Sequence, residues 1–231
     1  MAYSFTWNGT ISTAKGIRLQ SMPEVVRPEE RVSHVVIPGR SGEMTLTEGD
    51  DIFNSYIQTI PIAVNTLAAV RQAENWLKGD GWVTFGGEPT LKQKARIINA
   101  VTFRKHSRNS DWWDAEVQFY CDPIKYSTSE SAIEITTSGT NVANAGDLKS
   151  YPKIAITGSG LVTVRAGGNT ITIPDCVDGW VIDSENEWIL QSGVPQTNVC
   201  SGKFPVLNVG DNAVTFTGAS KVTVTPNIRY L

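Results

Sequence analysis

Apolar side chains recur at every second position through most of this chain, and that period leaves little choice of fold. Tyr3, Phe5 and Trp7 alternate with Ser4 and Thr6, so the segment has one apolar and one polar face, the mark of a half-buried strand. The same pattern predicts strands over 32–37, 52–60, 82–85, 96–104 and 113–121. It continues over 133–137, 153–157, 161–165, 170–173, 179–183, 187–191, 213–217 and 221–225. Turn-forming residues separate these runs: Asn8-Gly9, Gly86-Gly87, Gly167-Gly168 and Gly210-Asp-Asn212. Short strands at this spacing predict antiparallel sandwiches rather than parallel βαβ units.

One segment has another period. Over 66–78, Leu67, Val70, Ala73 and Leu77 form a single stripe at helical spacing, with Trp76 beside it. Asn65 is placed to cap the first turn, and Gly79 to supply a left-handed residue after the last. A helix of about 13 residues is marginal by itself, so it is expected to cover one face of a sheet. The run Ser127-Thr-Ser-Glu-Ser131 after Pro123 predicts a boundary, and charge divides there too. Residues 1–128 carry 14 basic and 14 acidic side chains, whereas 129–231 carry 6 and 9, the whole of the net −3. The expectation is a mainly β chain with two β-sandwich-type domains, 1–128 with the single covering helix at about 66–78, and 129–231 without one.

Little chemistry is visible. Net charge −3 gives no general attraction to nucleic acid or anionic membrane. Three cysteines are too few for a disulfide scaffold or a four-thiolate zinc site, and Cys121, Cys176 and Cys200 read as free thiols. The two histidines, His34 in a strand and His106 in a turn, lack the spacing of a helical zinc site. Arg40-Ser-Gly42 lacks the flanking glycines of a nucleophile elbow, and Pro38-Gly-Arg-Ser-Gly42 lacks the lysine of a phosphate loop; it reads as a hairpin tip. Glu48-Gly-Asp-Asp51 and Asp175-Cys-Val-Asp178 read as solvated acidic turns, without the alternating carboxylates of a calcium loop. No catalytic residue, metal ligand or cofactor site is expected.

Membrane insertion is not expected either. The stretch 52–70 has no charged residue, but Asn54, Ser55, Gln58, Thr59, Pro61, Asn65 and Thr66 would have to be satisfied in hydrocarbon. The N-terminus lacks the basic and apolar regions of a secretory signal, so a soluble product of the cytoplasm is expected and the Asn8-Gly9-Thr10 sequon is read as a turn. Two surface features stand out. Lys92, Lys94, Arg96, Arg104, Lys105 and Arg108 interleave with Phe103, Trp112 and Trp113, the shape of a nucleic-acid surface. Asp111, Asp114 and Glu116 follow at once and would repel phosphate, which favours a strand with a basic polar face. Trp180 and Trp188 could stack on sugar rings if exposed, or fill a sandwich core, Trp188 with Leu190.

The order of these features resembles the distal tail protein (Dit) family of long-tailed, non-contractile phages and prophages. In the first part the resemblance rests on Phe5-Thr-Trp-Asn-Gly9, on Pro38-Gly-Arg-Ser-Gly42, and on Glu48-Gly-Asp-Asp51 leading into a long strand. The single helix ending Trp76-Leu-Lys-Gly79 and the strand Trp82-Val-Thr-Phe85 come next. In the second it rests on Asn144-Ala-Gly-Asp-Leu-Lys-Ser-Tyr-Pro152, Val181-Ile-Asp-Ser-Glu-Asn186, Ser201-Gly-Lys-Phe-Pro205 and Asn208-Val-Gly-Asp-Asn212. Each motif alone is turn chemistry; their order spans nearly the whole chain.

The resemblance implies a structural protein of the virion tail tip, made in the bacterial cytoplasm, and not an enzyme. It implies a homohexamer, as one ring or two stacked rings, joining the tail tube protein to a tail-associated lysin or fibre protein. DNA passes through the channel only as cargo. It also implies a ring-forming first domain and a galectin-like or carbohydrate-binding-module-like second one. Larger relatives carry inserted saccharide-binding modules, for which this chain has no room. A ring needs two different surfaces on each protomer. The arm expected to supply one is a hairpin over 38–51, pliable at Gly39, Gly42 and Gly49, with Arg40, Asp50 and Asp51 setting register by charge. The alternative is a carbohydrate-binding protein acting through Trp180 or Trp188. A tube-forming tail component and a hydrolase with dispersed carboxylates are weaker readings.

Overall fold

The computed structural model describes residues 3–47 and 49–231. They form two compact units, one running to Thr128 and taking in Leu231, the other comprising Ser129–Tyr230. The chain is mainly β.

The first unit contains β1 (Phe5–Trp7), β2 (Thr10–Ile11), β3 (Ile17–Leu19), β4 (Val32–Val36), β5 (Glu43–Thr47) and β6 (Tyr56–Val64). After them come α1 (Leu67–Trp76), β7 (Asp80–Phe85), β8 (Leu91–Ile97), β9 (Arg104–Lys105) and β10 (Trp113–Ser127). The main sheet is antiparallel in the order β2-β1-β7-β8-β10-β6-β3, with β9 beside the start of β10 and β4–β5 standing apart as a two-stranded ribbon. Its two end strands, β2 and β3, are separated in sequence only by the short helical turn at Ser12–Lys15 and Gly16. Such a connection reaches about 20 Å, whereas seven flat strands would span about 29 Å. The sheet must therefore curl, and its core shows that it does. Phe5 and Trp7 of β1 both put their rings 5.4 Å from Phe119 of β10, three strands away in the path.

Asn8 and Gly9 both take positive φ (48° and 77°), and Trp7 pairs with Thr10, as the Asn-Gly turn predicts. The helix is shorter than its apolar period suggests, and its cap is Thr66, whose Oγ1 accepts from the Ala69 amide at 3.1 Å. Val70, Ala73 and Leu77 are buried and Trp76 stacks on Phe5 at 5.6 Å, but Leu67 at the open end is half exposed. Two strand predictions need correction. The strand expected over 52–60 begins only at Tyr56, because 52–54 is engaged elsewhere: Arg31 donates to the Ile52 carbonyl and the Asn54 amide to that of Glu29. The strand expected over 96–104 ends at Ile97, because the Asn99 side chain bonds the Glu116 carbonyl and the Gln118 amide, taking the place of backbone pairing.

The second unit contains β11 (Ile133–Ile135), β12 (Thr140–Asn144), β13 (Lys153–Ala166), β14 (Asn169–Cys176), β15 (Trp180–Asp183), β16 (Trp188–Gln191), β17 (Val194–Pro195), β18 (Ser201–Gly202) and β19 (Gly210–Thr225). Sequence patterning divides β13 and β19 into two strands each; the structure joins the halves. Both bend where their register shifts, near Gly158–Val162 and Gly218–Ala219. Gly218 is required there: its φ is +75°, and a Cβ would sit 2.0 Å from the Leu161 carbonyl oxygen. The first half of β13 pairs with β15 and the second half of β19, next to β11. Its second half pairs with β14 and the first half of β19, next to β12. Two layers thus share two bent strands around Ile154, Ile156, Val164, Ile173, Ile182, Val214 and Val224.

Candidate functional site

The Pro38 motif makes a turn and nothing more. The Arg40 amide donates to the Ile37 carbonyl at 3.2 Å, and Gly39 has φ +81°. Pro at the second and Gly at the third position is the signature of a type II turn. No atom lies within 4 Å of a Cβ built on Gly39, so it is conformation and not space that calls for glycine. From this tip, β4 and β5 pair Val36 with Glu43, Val35 with Met44, His34 with Thr45, Ser33 with Leu46 and Val32 with Thr47. Directly opposed residues share a face. One face therefore carries Ser33, Val35, Met44 and Leu46, the more apolar of the two, and the other Val32, His34, Val36, Glu43, Thr45 and Thr47. His34 Nδ1 lies 3.4 Å from Thr45 Oγ1 and 3.7 Å from a Glu43 carboxylate oxygen.

Among the described residues, the more apolar face covers nothing. Val35, Met44 and Leu46 are 41–43% exposed, and no residue of either strand is buried. At the root, Glu30 bridges to Phe53 and the Arg31 guanidinium donates to Asn54 Oδ1 at 3.1 Å. The ribbon is thus clamped at its base. The expected interface residues are not brought together. Gly39, Arg40 and Gly42 are at the tip, while Asp50 and Asp51 are at the root, about five strand residues or 17 Å away. The hairpin is Val32–Thr47, not 38–51. Glu48 lies outside the described residues.

The basic zone divides as well. Lys92, Lys94 and Arg96 alternate along β8 and point away from the core, while Gln93 and Ala95 are buried. Arg104 and Lys105 lie on β9, and Trp112 packs against Arg18 at 5.1 Å. The aromatic partner of Lys92 and Lys94 is Trp82, which the sequence period does not single out. Its register partner is Lys94; Lys94 and Lys92 place their ammonium groups 5.6 and 5.1 Å from its ring, and Tyr126 meets it edge-on. Across the same face run Asp80, Arg96, Tyr120 and Ile57, each opposite the next. Trp82, Tyr120 and Ile57 are 36%, 45% and 54% exposed. Asp80, Trp82, Lys94, Arg96, Tyr120 and Asp122 line an open depression of about 330 Å³.

The tryptophans of the second unit part company. Trp180 is buried in the core and is not available to a sugar ring. Trp188 is 55% exposed, and it is Ile189, not Trp188 or Leu190, that faces inward. The turn motifs of this unit are locks. The buried Asn144 amide donates to the Leu148 and Leu207 carbonyls, and Asn212 closes the loop from Asn208 through both its oxygen and its nitrogen. His106 Nδ1 sits 2.7 Å from Asp114, which also accepts from Gln20 at 2.6 Å; the pair ties down the 104–112 turn. Among the described residues, no three His, Cys, Asp or Glu groups gather as a metal centre. Among the described residues, no helix is long and apolar enough to cross a membrane.

All three cysteines are free. Burial pushes the Cys121 thiol up to about 12 and the Tyr56 phenol likewise to about 12, and it raises Cys176 and Cys200. These thiols stay protonated at neutral pH and are poor nucleophiles. A group whose pKa is raised on folding loses its proton first in the unfolded chain, so stability falls as pH climbs. The contribution of these two groups to the first unit's stability is expected to be fully present below about pH 9 and to be lost progressively between 9 and 12. Urea unfolding at stepped pH checks this, and Cys121→Ala should flatten the alkaline slope.

No protein-family model matches the sequence, and no curated protein matches it significantly. The structure is similar to the crystal structure of the Dit protein of phage SPP1, described as a paradigm of the hub adsorption apparatus in phages infecting Gram-positive bacteria. The TM-score is 0.77, identity is 17%, and all of both chains is covered. From its first strand to its last, this chain has the fold of the SPP1 Dit protein.

Proposed function

We propose that this chain is a distal tail protein, a non-enzymatic structural hub at the tip of a phage tail. Six copies form a ring, singly or as two stacked rings, with the tail tube protein on one side and a tail-associated lysin or fibre protein on the other. DNA passes through the channel as cargo. The first unit builds the ring and the second is its galectin-like outward sandwich. The full-length fold likeness to a hub protein supports this reading. The observation that carries it is the β4–β5 ribbon. A lone two-stranded hairpin is marginal in water, and this one has an apolar face that none of the described residues covers. A neighbouring copy supplies the missing cover, which makes the ribbon one of the two surfaces a ring requires.

The test is removal of the arm. Replacing 32–51 by a short Gly-Ser linker spans a gap already closed by the Arg31–Ile52 hydrogen bond of 2.9 Å. Negative-stain microscopy and light scattering are expected to show hexamers of the 25.2 kDa chain before deletion and monomers after it. The β signature in circular dichroism should be unchanged. Rings that survive the deletion would overturn the arm. The carbohydrate-binding reading now rests on Trp188 alone, and retention on a glycan array that disappears in Trp188→Ala would favour it.

A further inference from the structure

The Asn8-Gly9 corner holds a reactive pair that the fold keeps apart. Asn8 continues the β1–β7 ladder one step past Trp7 and Val83: its backbone amide donates to the Trp82 carbonyl at 2.9 Å. The chain turns away at this point, with φ +48° at Asn8 and +77° at Gly9. The side chain makes the return bond. The Trp82 amide donates to Asn8 Oδ1 at 2.9 Å, and Asn8 Nδ2 donates to the Asp80 carbonyl at 3.4 Å. Both ends of the carboxamide are thus held by β7. Gly81, between the two partners, makes the room: a Cβ there would overlap Asn8 Oδ1, Cγ and Nδ2.

An asparagine followed by glycine is chemically labile, and this is the one such dipeptide in the sequence. Glycine lacks the Cβ that shields a backbone nitrogen, so the Gly9 nitrogen has access to Asn8 Cγ. The bond from Gly9 N to Cγ forms and the Cγ–Nδ2 bond breaks. Nδ2 leaves as ammonia with the proton of the Gly9 amide. Water then opens the cyclic imide at either carbonyl, giving aspartate or isoaspartate; both residues of the corner are exposed to it. An intramolecular attack is fast only when its atoms are aligned. A carboxamide bonded to β7 through both oxygen and nitrogen is not free to turn Cγ onto the Gly9 nitrogen.

We propose that Asn8 is a deamidation site held shut by β7, which reacts only when the β1–β2 corner lifts off the sheet. The change is one-way. Aspartate puts a carboxylate oxygen where Nδ2 donated, facing the Asp80 carbonyl with no hydrogen to share. Isoaspartate adds a main-chain carbon to a two-residue turn and spoils its match to the strands. A corner that has reacted does not reseat as before. The site goes beyond the hub reading and does not depend on it.

The experiment incubates the full chain in mildly alkaline buffer, folded and in urea. Mass spectrometry follows the tryptic peptide 1–15, in which Asn8 is the only side-chain amide. Exchange of its NH2 for OH is expected to be rapid in urea and at least about tenfold slower in the folded chain. Gly81→Ala pushes the carboxamide off β7 and forfeits two hydrogen bonds. Folded Gly81→Ala is therefore expected to react about tenfold faster than folded wild type, with circular dichroism confirming its fold. A second variant settles the lock even if that one does not fold. Asn8→Gly keeps the turn, which Gly-Gly suits, and removes the acceptor of the Trp82 amide, whose hydrogen exchange should quicken about tenfold. Equal rates in folded and unfolded wild type overturn the lock. So does Trp82 exchange unmoved by Asn8→Gly, or a folded Gly81→Ala no faster than wild type. No conversion even in urea overturns the site itself.

Discussion

Glu88→Ala is expected to destabilise the first unit by about 3–5 kcal/mol, the cost of leaving a buried charge without its partner. The charge is Lys125. It is 3% exposed, and its ammonium nitrogen lies 2.7 Å from Glu88 and 3.4 Å from the Val26 carbonyl oxygen. It stands where β10 shifts register against β8 between Cys121 and Lys125, so the side chain enters the interior at an irregular point of the ladder. Nearby Gln93, also buried, already uses its amide oxygen to accept from the Tyr56 hydroxyl at 3.0 Å. That region therefore has little spare capacity to absorb an orphaned ammonium. Removing both charges is another matter. Glu88→Ala with Lys125→Met replaces the pair by apolar volume and is expected to recover most of the loss. Urea unfolding followed by tryptophan fluorescence reads the first unit preferentially, since five of the seven tryptophans are in it. Equal losses in the single and double variants would show that the pair is not what holds this end of β10.

Phe119→Ala is expected to cost about as much, 3–5 kcal/mol, by a different route: lost transfer energy and a cavity that the surroundings only partly fill. Phe119 is fully buried on β10. Its ring meets those of Phe5 and Trp7 at 5.4 Å and Phe85 at 5.7 Å, each at a steep angle. These contacts join β10 to β1 and β7 across the interior of the curled sheet. Edge-to-face pairs add about 0.5–1.5 kcal/mol each beyond area burial. Phe119→Leu, which keeps most of the volume but not the ring edges, should cost clearly less. If alanine and leucine cost the same in the same unfolding measurement, the loss of the ring contacts and not of volume sets the cost.

Some of this was legible before any coordinates. Asn8-Gly9 and Pro38-Gly39 form the turns their residue types demand, because φ preference is a property of the dipeptide and travels with it. The lone helix is where the 3.6-residue stripe places it, although Thr66 rather than Asn65 caps it and Leu67 is left half exposed. Alternation gave the right class and most of the strands. It failed where a side chain replaced the ladder, as Asn99 does after Ile97, and where short runs concealed a longer strand, as in β13 and β19. Gly158 and Gly218 sit at the bends and read locally as breaks.

The sites were less legible than the fold. Arg40 and Asp51 are eleven positions apart in sequence and lie at opposite ends of a ribbon, because a hairpin folds sequence distance back on itself. Lys94 meets Trp82 only through the β7–β8 register, and Arg96 meets Tyr120 and Ile57 only through β10 and β6. What the sequence determined by itself was whatever depends on neighbours along the chain: strand character, turn type, the place of the helix and the charge of each segment. What only the tertiary structure decided was which side of each strand is inside, as in the reversal of Trp188 and Ile189. It also decided that β4 and β5 pair with each other and, among the described residues, with no other strand. A period of two marks two faces without saying which one a distant strand will cover, and that choice is made by long-range packing.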